Sequence, residues 1–180
     1  MKNLKENKLF KWYLERKNFI NKTECDTIIN KIASSDTLRV QENGHDELLS
    51  GKFVPIENEK LTNSIYNVVK LANDLCFKFN IKGVHSCYGK EYFWKSFEES
   101  KTLHCDMSEG DITDTTIKLT TILFLNDNYD GGELQIWDTK IKPEIGKLII
   151  FPSFAGHRVN KFTNNNRYVL VTFIGGDYFA

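Results

Sequence analysis

The sequence predicts an α+β protein, with helices early in the chain and a β-sandwich built as a jelly roll or barrel behind them. Three observations carry this. Two early segments repeat apolar residues at three- and four-residue steps, the spacing of one helix face. From about Ser86 onward, short β-branched and aromatic runs alternate with Gly-, Asn- and Pro-marked turns. No internal repeat, low-complexity tract or Pro/Gly linker divides the 180 residues. One domain over 1–180 is therefore expected, helical over about 1–82 and β over about 85–177.

The first helix is expected from Thr23 to about Ser34. Thr23 can cap it, Asp26 follows three positions later, and Ile28, Ile29 and Ile32 form its apolar stripe. A second helix is expected from about Lys60 to Phe79, with Leu61, Ile65, Val68, Ala72, Leu75 and Phe79 on one face. Between them Val40 to Pro55, with Gly44-His45-Asp46 and Gly51, is polar and turn-rich and reads as a loop or lid. Tyr88 to Phe97 is aromatic-rich and opens the β region. Ile117 to Leu125 is nearly continuous in apolar residues, as in a strand buried on both faces. Asn128-Tyr129-Asp130-Gly131-Gly132 signals a turn, most simply a hairpin, before a strand from Glu133 to Trp137. Pro143 to Gly146 turns again. Strands Lys147 to Phe151 and Arg167 to Gly175 close the pattern, and the helices would pack outside the sheet.

Charge and cysteine content narrow the function classes. Twenty-four basic and 24 acidic residues cancel, so no electrostatic footprint marks a nucleic-acid or anionic-membrane partner. No apolar run is long enough to span a bilayer. The basic start, Met1 to Lys8, lacks the apolar core of a signal peptide. Cys25, Cys76, Cys87 and Cys105 are scattered without a C-x-x-C, which fits reduced thiols in the cytoplasm and excludes zinc-finger spacing.

The chemistry concentrates in His104-Cys105-Asp106, His157 and Arg167. Residues two apart on an extended strand point to the same side, so His104 and Asp106 can share one metal ion, with His157 as a third ligand. Two His and a carboxylate make the facial triad of non-haem Fe(II) oxygenases. Arg167 adds a planar cationic fork for a carboxylate. Along the last strand Arg167, Val169, Val171 and Phe173 share a face, which would set the guanidinium at the end of an apolar pocket. A zinc-dependent hydrolase could use the same three ligands with a bound water, but would want a nearby general base and has no use for Arg167. A non-catalytic binding module on the same fold is the third reading, and no ligand is missing to favour it.

Bland readings stand beside these. His45 and His85 default to structural roles. Arg158 alternates away from His157 and reads as exposed, and Cys105 reads as packing. Trp94 and Trp137 read as core, and Glu98 and Glu99 as solvated charges.

The ordered set His104-Cys105-Asp106, Leu123-Phe124-Leu125-Asn126, Gly131-Gly132-Glu133-Leu134, Pro143, Gly146, Leu148-Ile149-Ile150-Phe151-Pro152, His157 and Arg167-Tyr168 resembles the catalytic core of the Fe(II)/2-oxoglutarate dioxygenases. The resemblance covers His104 to Phe173 and is to the prolyl 4-hydroxylase-like branch, with Phe19 to Ile32 resembling its helical entry. It implies a double-stranded β-helix (jelly-roll) core, Fe(II) held by His104, Asp106 and His157, and 2-oxoglutarate bound at its far carboxylate by Arg167. It implies O2 as co-reactant, ascorbate as an accessory reductant, and oxidative decarboxylation to succinate coupled to hydroxylation of a prolyl peptide, amino acid or related small molecule. Related halogenases carry a small residue where Asp106 stands, so the carboxylate points to hydroxylation. Many relatives place a Tyr near the first His ligand to bind the cosubstrate. None stands there, and Tyr92 is the substitute. Val40 to Phe53 is the candidate for the mobile active-site loop. Nucleic-acid demethylases of the superfamily carry a second Arg further along the last strand, where this chain has Phe173.

Overall fold

The computed structural model describes residues 12–36, 51–96, 103–107 and 116–177. The expectations for Met1 to Lys8, for Gly44-His45-Asp46 and the rest of 40–50, and for Phe97, Glu98 and Glu99 lie outside the described residues.

The elements run β1 (Leu14–Arg16), α1 (Lys22–Ala33), β2 (Gly51–Pro55), α2 (Glu59–Ala72), a π turn (Asn73–Phe77), β3 (Ile81–Tyr92), a 3-10 turn (Trp94–Ser96), β4 (Thr116–Phe124), β5 (Asp130–Gly131), β6 (Leu134–Ile136), β7 (Thr139–Ile141), β8 (Leu148–Pro152), β9 (His157–Val159), β10 (Phe162–Thr163) and β11 (Arg167–Gly176). A six-stranded sheet has the order β1-β8-β4-β11-β3-β2, and every described pair in it is antiparallel. A three-stranded sheet, β7-β6-β9, and a two-stranded ribbon, β10-β5, complete the β structure.

Side-chain alternation divides the large sheet into two faces. Leu119 and Leu123 of β4, Leu148 and Ile150 of β8, and Leu170 and Ile174 of β11 pack with Cys25, Ile28 and Ile32 of α1 and Ile65, Val69 and Ala72 of α2. The helices therefore cover this face. Each fully buried Ile or Leu contributes roughly 1.5–3 kcal/mol. Ile122 and Phe124, Ile149 and Phe151, and Val169 and Val171 turn to the other face and meet Leu134 and Ile136 of the small sheet. That second face holds the candidate site. Burial on both faces explains the unbroken apolar run of β4.

Several local expectations are corrected. Asn21, not Thr23, caps α1: its side chain accepts from the Glu24 amide, and Glu24 answers by accepting from the Asn21 amide. Asn at this position satisfies the capping geometry two residues earlier than the Thr23 reading allowed. The second helix stops as α-helix at Ala72. Asn73 then bonds both the amide and the carbonyl of Phe79, the chain widens into the π turn, and Lys78 takes φ 61°. This turns Leu75 out to 70% exposure. Gly51–Pro55, the end of the stretch expected as a loop or lid, is instead edge strand β2, paired with β3. Only Phe53 and Val54 are apolar there, and terminal Gly and Pro disguise an edge strand. β1 and β2, both from the region expected to be helical, thus edge the large sheet, and β3 begins at Ile81 rather than near Ser86. The Asp130-Gly131-Gly132 turn is no hairpin between β4 and β6: β4 pairs with β8 and β11, β6 pairs with β7 and β9, and Asp130–Gly131 pairs with β10. Gly131 and Gly132 have φ of 79° and 68°, which favours glycine where the chain crosses between sheets.

Candidate metal centre

His157 leads β9, and its backbone amide and carbonyl both pair with those of His104 at 2.8 and 3.0 Å. This isolated bridge holds two imidazoles together, their ring centroids 4.4 Å apart. The Asp106 amide donates to the Ser153 carbonyl at 2.9 Å. His104 and Asp106 therefore sit on a short tethered segment rather than on a continuous strand, yet the expected same-side placement holds. One ligand atom from each of His104, Asp106 and His157 lies within 4.8 Å of the others.

The electrostatics prepare the three side chains differently. His157 is 6% exposed at its side chain, Asp106 14%, and His104 52%. The Nδ1–H of His157 donates to the Ala155 carbonyl at 3.0 Å, because that oxygen can only accept. Its Nε2 lone pair therefore faces the site, 3.3 Å from Asp106 Oδ2. Burial lowers the His157 pKa from the ordinary imidazole value, with the Asp106 charge acting in opposition. Thr120 Oγ1 donates to Asp106 Oδ2 at 2.7 Å and fixes the carboxylate. Two imidazole nitrogens and an oriented carboxylate suit a divalent first-row metal.

Arg167 opens β11 on the same face and is fully buried. Its guanidinium lies 5.5 Å from the Tyr92 ring centroid and 5.6 Å from that of Phe124. Nε and Nη2 are buried without a hydrogen-bond partner. Two orphaned N–H groups on a buried cation mark a place for an anion. The cavity beside it is lined by Tyr92 and Lys90 of β3, Ile122 of β4, and Val169 and Val171 of β11, and it reaches the three candidate ligands. The site thus gathers every residue expected in it: His104, Asp106, His157, Arg167 and Tyr92.

Residues 91–175 match the sequence profile of the 2OG-Fe(II) oxygenase superfamily. That stretch is just under half of the chain and takes in His104, Asp106, His157 and Arg167. A PKHD-type hydroxylase of Pseudomonas putida (strain KT2440) is 43% identical over 56 residues, or 28% of this chain. The match spans only 25% of that relative's length. Two solved structures share this fold. A viral collagen prolyl hydroxylase from Paramecium Bursaria Chlorella virus-1, solved with 2OG, superposes with a TM-score of 0.72 at 16% identity, covering 94% of this chain and 98% of that one. A Pseudomonas putida prolyl-4-hydroxylase superposes with a TM-score of 0.68 at 14% identity, covering 92% and 93%.

Sequence reasoning missed three residues of this candidate site. Thr120 shares the strand parity of Ile122 and Phe124, which is the signal that could have found it. Tyr129 is an aromatic within a turn of Asn, Asp and Gly. Its buried hydroxyl has no hydrogen-bond partner, and its phenol is pushed up by burial while the Arg167 charge opposes the shift. Lys90 shares the parity of Tyr92. Three bland readings also change. Arg158 is half-buried, with Nε and Nη2 both donating to Gln135 Oε1 at 3.1 Å across the β6–β9 pair. Cys105 is exposed rather than packed, since it alternates away from the side that His104 and Asp106 share. Trp137 is 43% exposed rather than core; it has φ 52° and its amide donates to Gly156.

Proposed function

We propose that this chain is a single Fe(II)- and 2-oxoglutarate-dependent oxygenase domain on a double-stranded β-helix, and that it hydroxylates a prolyl peptide, an amino acid or a related small molecule. The observation that carries this is one cavity joining a His-Asp-His group to a buried guanidinium whose Nε and Nη2 have no hydrogen-bond partner. Residues His104, Asp106 and His157 would hold Fe(II), and Arg167 would take the far carboxylate of 2-oxoglutarate. When bound, the iron and its cosubstrate supply O2 activation coupled to decarboxylation to succinate, with ascorbate as an accessory reductant.

The protein's own part is ligation, orientation and exclusion of water. Thr120 keeps Asp106 turned to the centre, and the Ala155 carbonyl keeps His157 in the tautomer whose Nε2 can ligate. The rings of Tyr92 and Phe124 wall the guanidinium on its apolar sides, so its N–H groups are left for a ligand. Val169 and Val171 keep the intervening wall dry, which strengthens a carboxylate–guanidinium pair. A zinc hydrolase is disfavoured: Asp106 is the only carboxylate lining the cavity among the described residues, so no separate general base stands beside it. A cytoplasmic setting suits the four free cysteines. No described helix is long and apolar enough to cross a membrane.

The test is anaerobic titration with Fe(II) and 2-oxoglutarate, followed by succinate measurement in air. A visible charge-transfer band and substrate-independent succinate are expected. No band and no succinate would sink the oxygenase reading, and zinc-dependent ester or amide hydrolysis would replace it.

A further inference from the structure

The cavity carries a cation that the proposed reaction does not use. Lys90 lines it together with His157, Ile122 and Val169. In β3 it lies between Tyr88 and Tyr92 on the same face, opposite Val169 of β11 and Phe53 of β2. Its ammonium rests 4.7 Å from the Phe53 ring centroid. That contact steadies the side chain but supplies no counter-charge. No described carboxylate lies within ion-pair distance of it. The adjacent Glu91 points to the other face, where it meets Lys52 at 3.9 Å and Asn166 at 2.8 Å. Asp106, the cavity's own carboxylate, is turned to Thr120 and His157.

Charge balance then identifies what is missing. Among the described residues, with a divalent metal, Arg167 and Lys90 set against Asp106 and a doubly charged 2-oxoglutarate, one positive charge remains over. A half-buried cation beside apolar walls is best matched by a fixed anion. The cosubstrate already has Arg167. Lys90 stands two residues before Tyr92, the residue paired with Arg167, and against edge strand β2.

We propose that Lys90 recognises a carboxylate on the substrate, so that this site selects anionic substrates over their neutral isosteres. This rests on the oxygenase reading above and deepens it. The carboxylate can belong to a free amino acid or to an acidic side chain in a peptide, and the assay separates the two.

The Fe(II) protein, with saturating 2-oxoglutarate and no O2, is titrated with L-proline, L-prolinamide, acetyl-Gly-Pro-Glu-amide and acetyl-Gly-Pro-Gln-amide. Perturbation of the visible band reports binding, and succinate release in air reports coupling. One carboxylate-bearing probe should bind roughly tenfold tighter than its amide partner, the worth of a single charge-assisted contact. Preference in the proline pair assigns a free amino acid, and preference in the peptide pair an acidic peptide. Lys90→Met should abolish the preference while shifting 2-oxoglutarate affinity by no more than about twofold, well below one such contact. Equal binding within both pairs by the wild-type protein overturns the proposal and leaves the oxygenase reading standing. So does a Lys90→Met loss of 2-oxoglutarate affinity as large as that of Arg167→Met, which would give Lys90 to the cosubstrate. No band in the wild-type protein overturns both readings.

Discussion

Arg167→Met should move stability and cosubstrate affinity in opposite directions. The guanidinium is fully buried, with Nε and Nη2 unpartnered. An uncompensated buried ion costs several kcal/mol, partly offset here by the Tyr92 and Phe124 rings at about 1–2 kcal/mol each. Met keeps most of the aliphatic stem and removes the charge. The unloaded protein should therefore gain about 1–2 kcal/mol, a rise in Tm of about 2–8 °C for a chain of this size. Loading reverses the order. Breaking a buried pair costs about 3–5 kcal/mol, so the 2-oxoglutarate Kd should rise by roughly two to three and a half orders of magnitude. At 2-oxoglutarate a hundredfold above its Kd the wild-type protein gains about 2.7 kcal/mol, or about 5–11 °C in Tm. The variant should gain almost nothing, so the two melting curves exchange places on adding ligand. Anaerobic thermal melts with Fe(II), with and without 2-oxoglutarate, make the measurement. A variant that is less stable unloaded, or that still gains several degrees from 2-oxoglutarate, would refute the assignment of Arg167 as a cation held in wait for a carboxylate.

Other outcomes can be checked separately. Thr120→Val removes the 2.7 Å bond that orients Asp106 and should weaken Fe(II) binding by about 10- to 100-fold, read by metal titration, with little change in the far-ultraviolet spectrum. Gly146→Ala places a Cβ 2.2 Å from the Ile20 carbonyl at φ 73° and should cost about 2–4 kcal/mol in urea unfolding, with the slope unchanged. Burial pushes the Cys25 thiol up to about 11 from 9.0. Its raised pKa favours the folded state fully below pH 9, and that contribution is lost as pH rises through 11. Cys25 should accordingly resist iodoacetamide at pH 8 while exposed Cys76 and Cys105 react, as peptide mapping would report.

The grouping of the candidate ligands was legible because its logic is local or periodic. His104 and Asp106 needed only two-residue spacing, and the inward row Arg167, Val169, Val171 followed from strand parity. The unbroken apolar run of β4 likewise announced burial on both faces. Thr120, Tyr129 and Lys90 were not legible, because their neighbours are set by register between strands far apart in sequence. Nothing near Lys90 reveals that Phe53 and Val169 will flank it. β2 was hidden because an edge strand of five residues with Gly and Pro at its ends presents the composition of a loop.

The alternation of β3 makes the cavity's charge a matter of counting. Lys90 and Tyr92 point in; Glu91 points out, its carboxylate accepting from Asn166 and from Tyr168, whose hydroxyl is pushed up by burial and by that bond. Deleting one residue between Cys87 and Lys90 would turn Glu91 toward Arg167 and send Lys90 to the helix side. The guanidinium would then find its carboxylate inside the chain and close on it, leaving a folded protein with its own side chain seated where a cosubstrate should be.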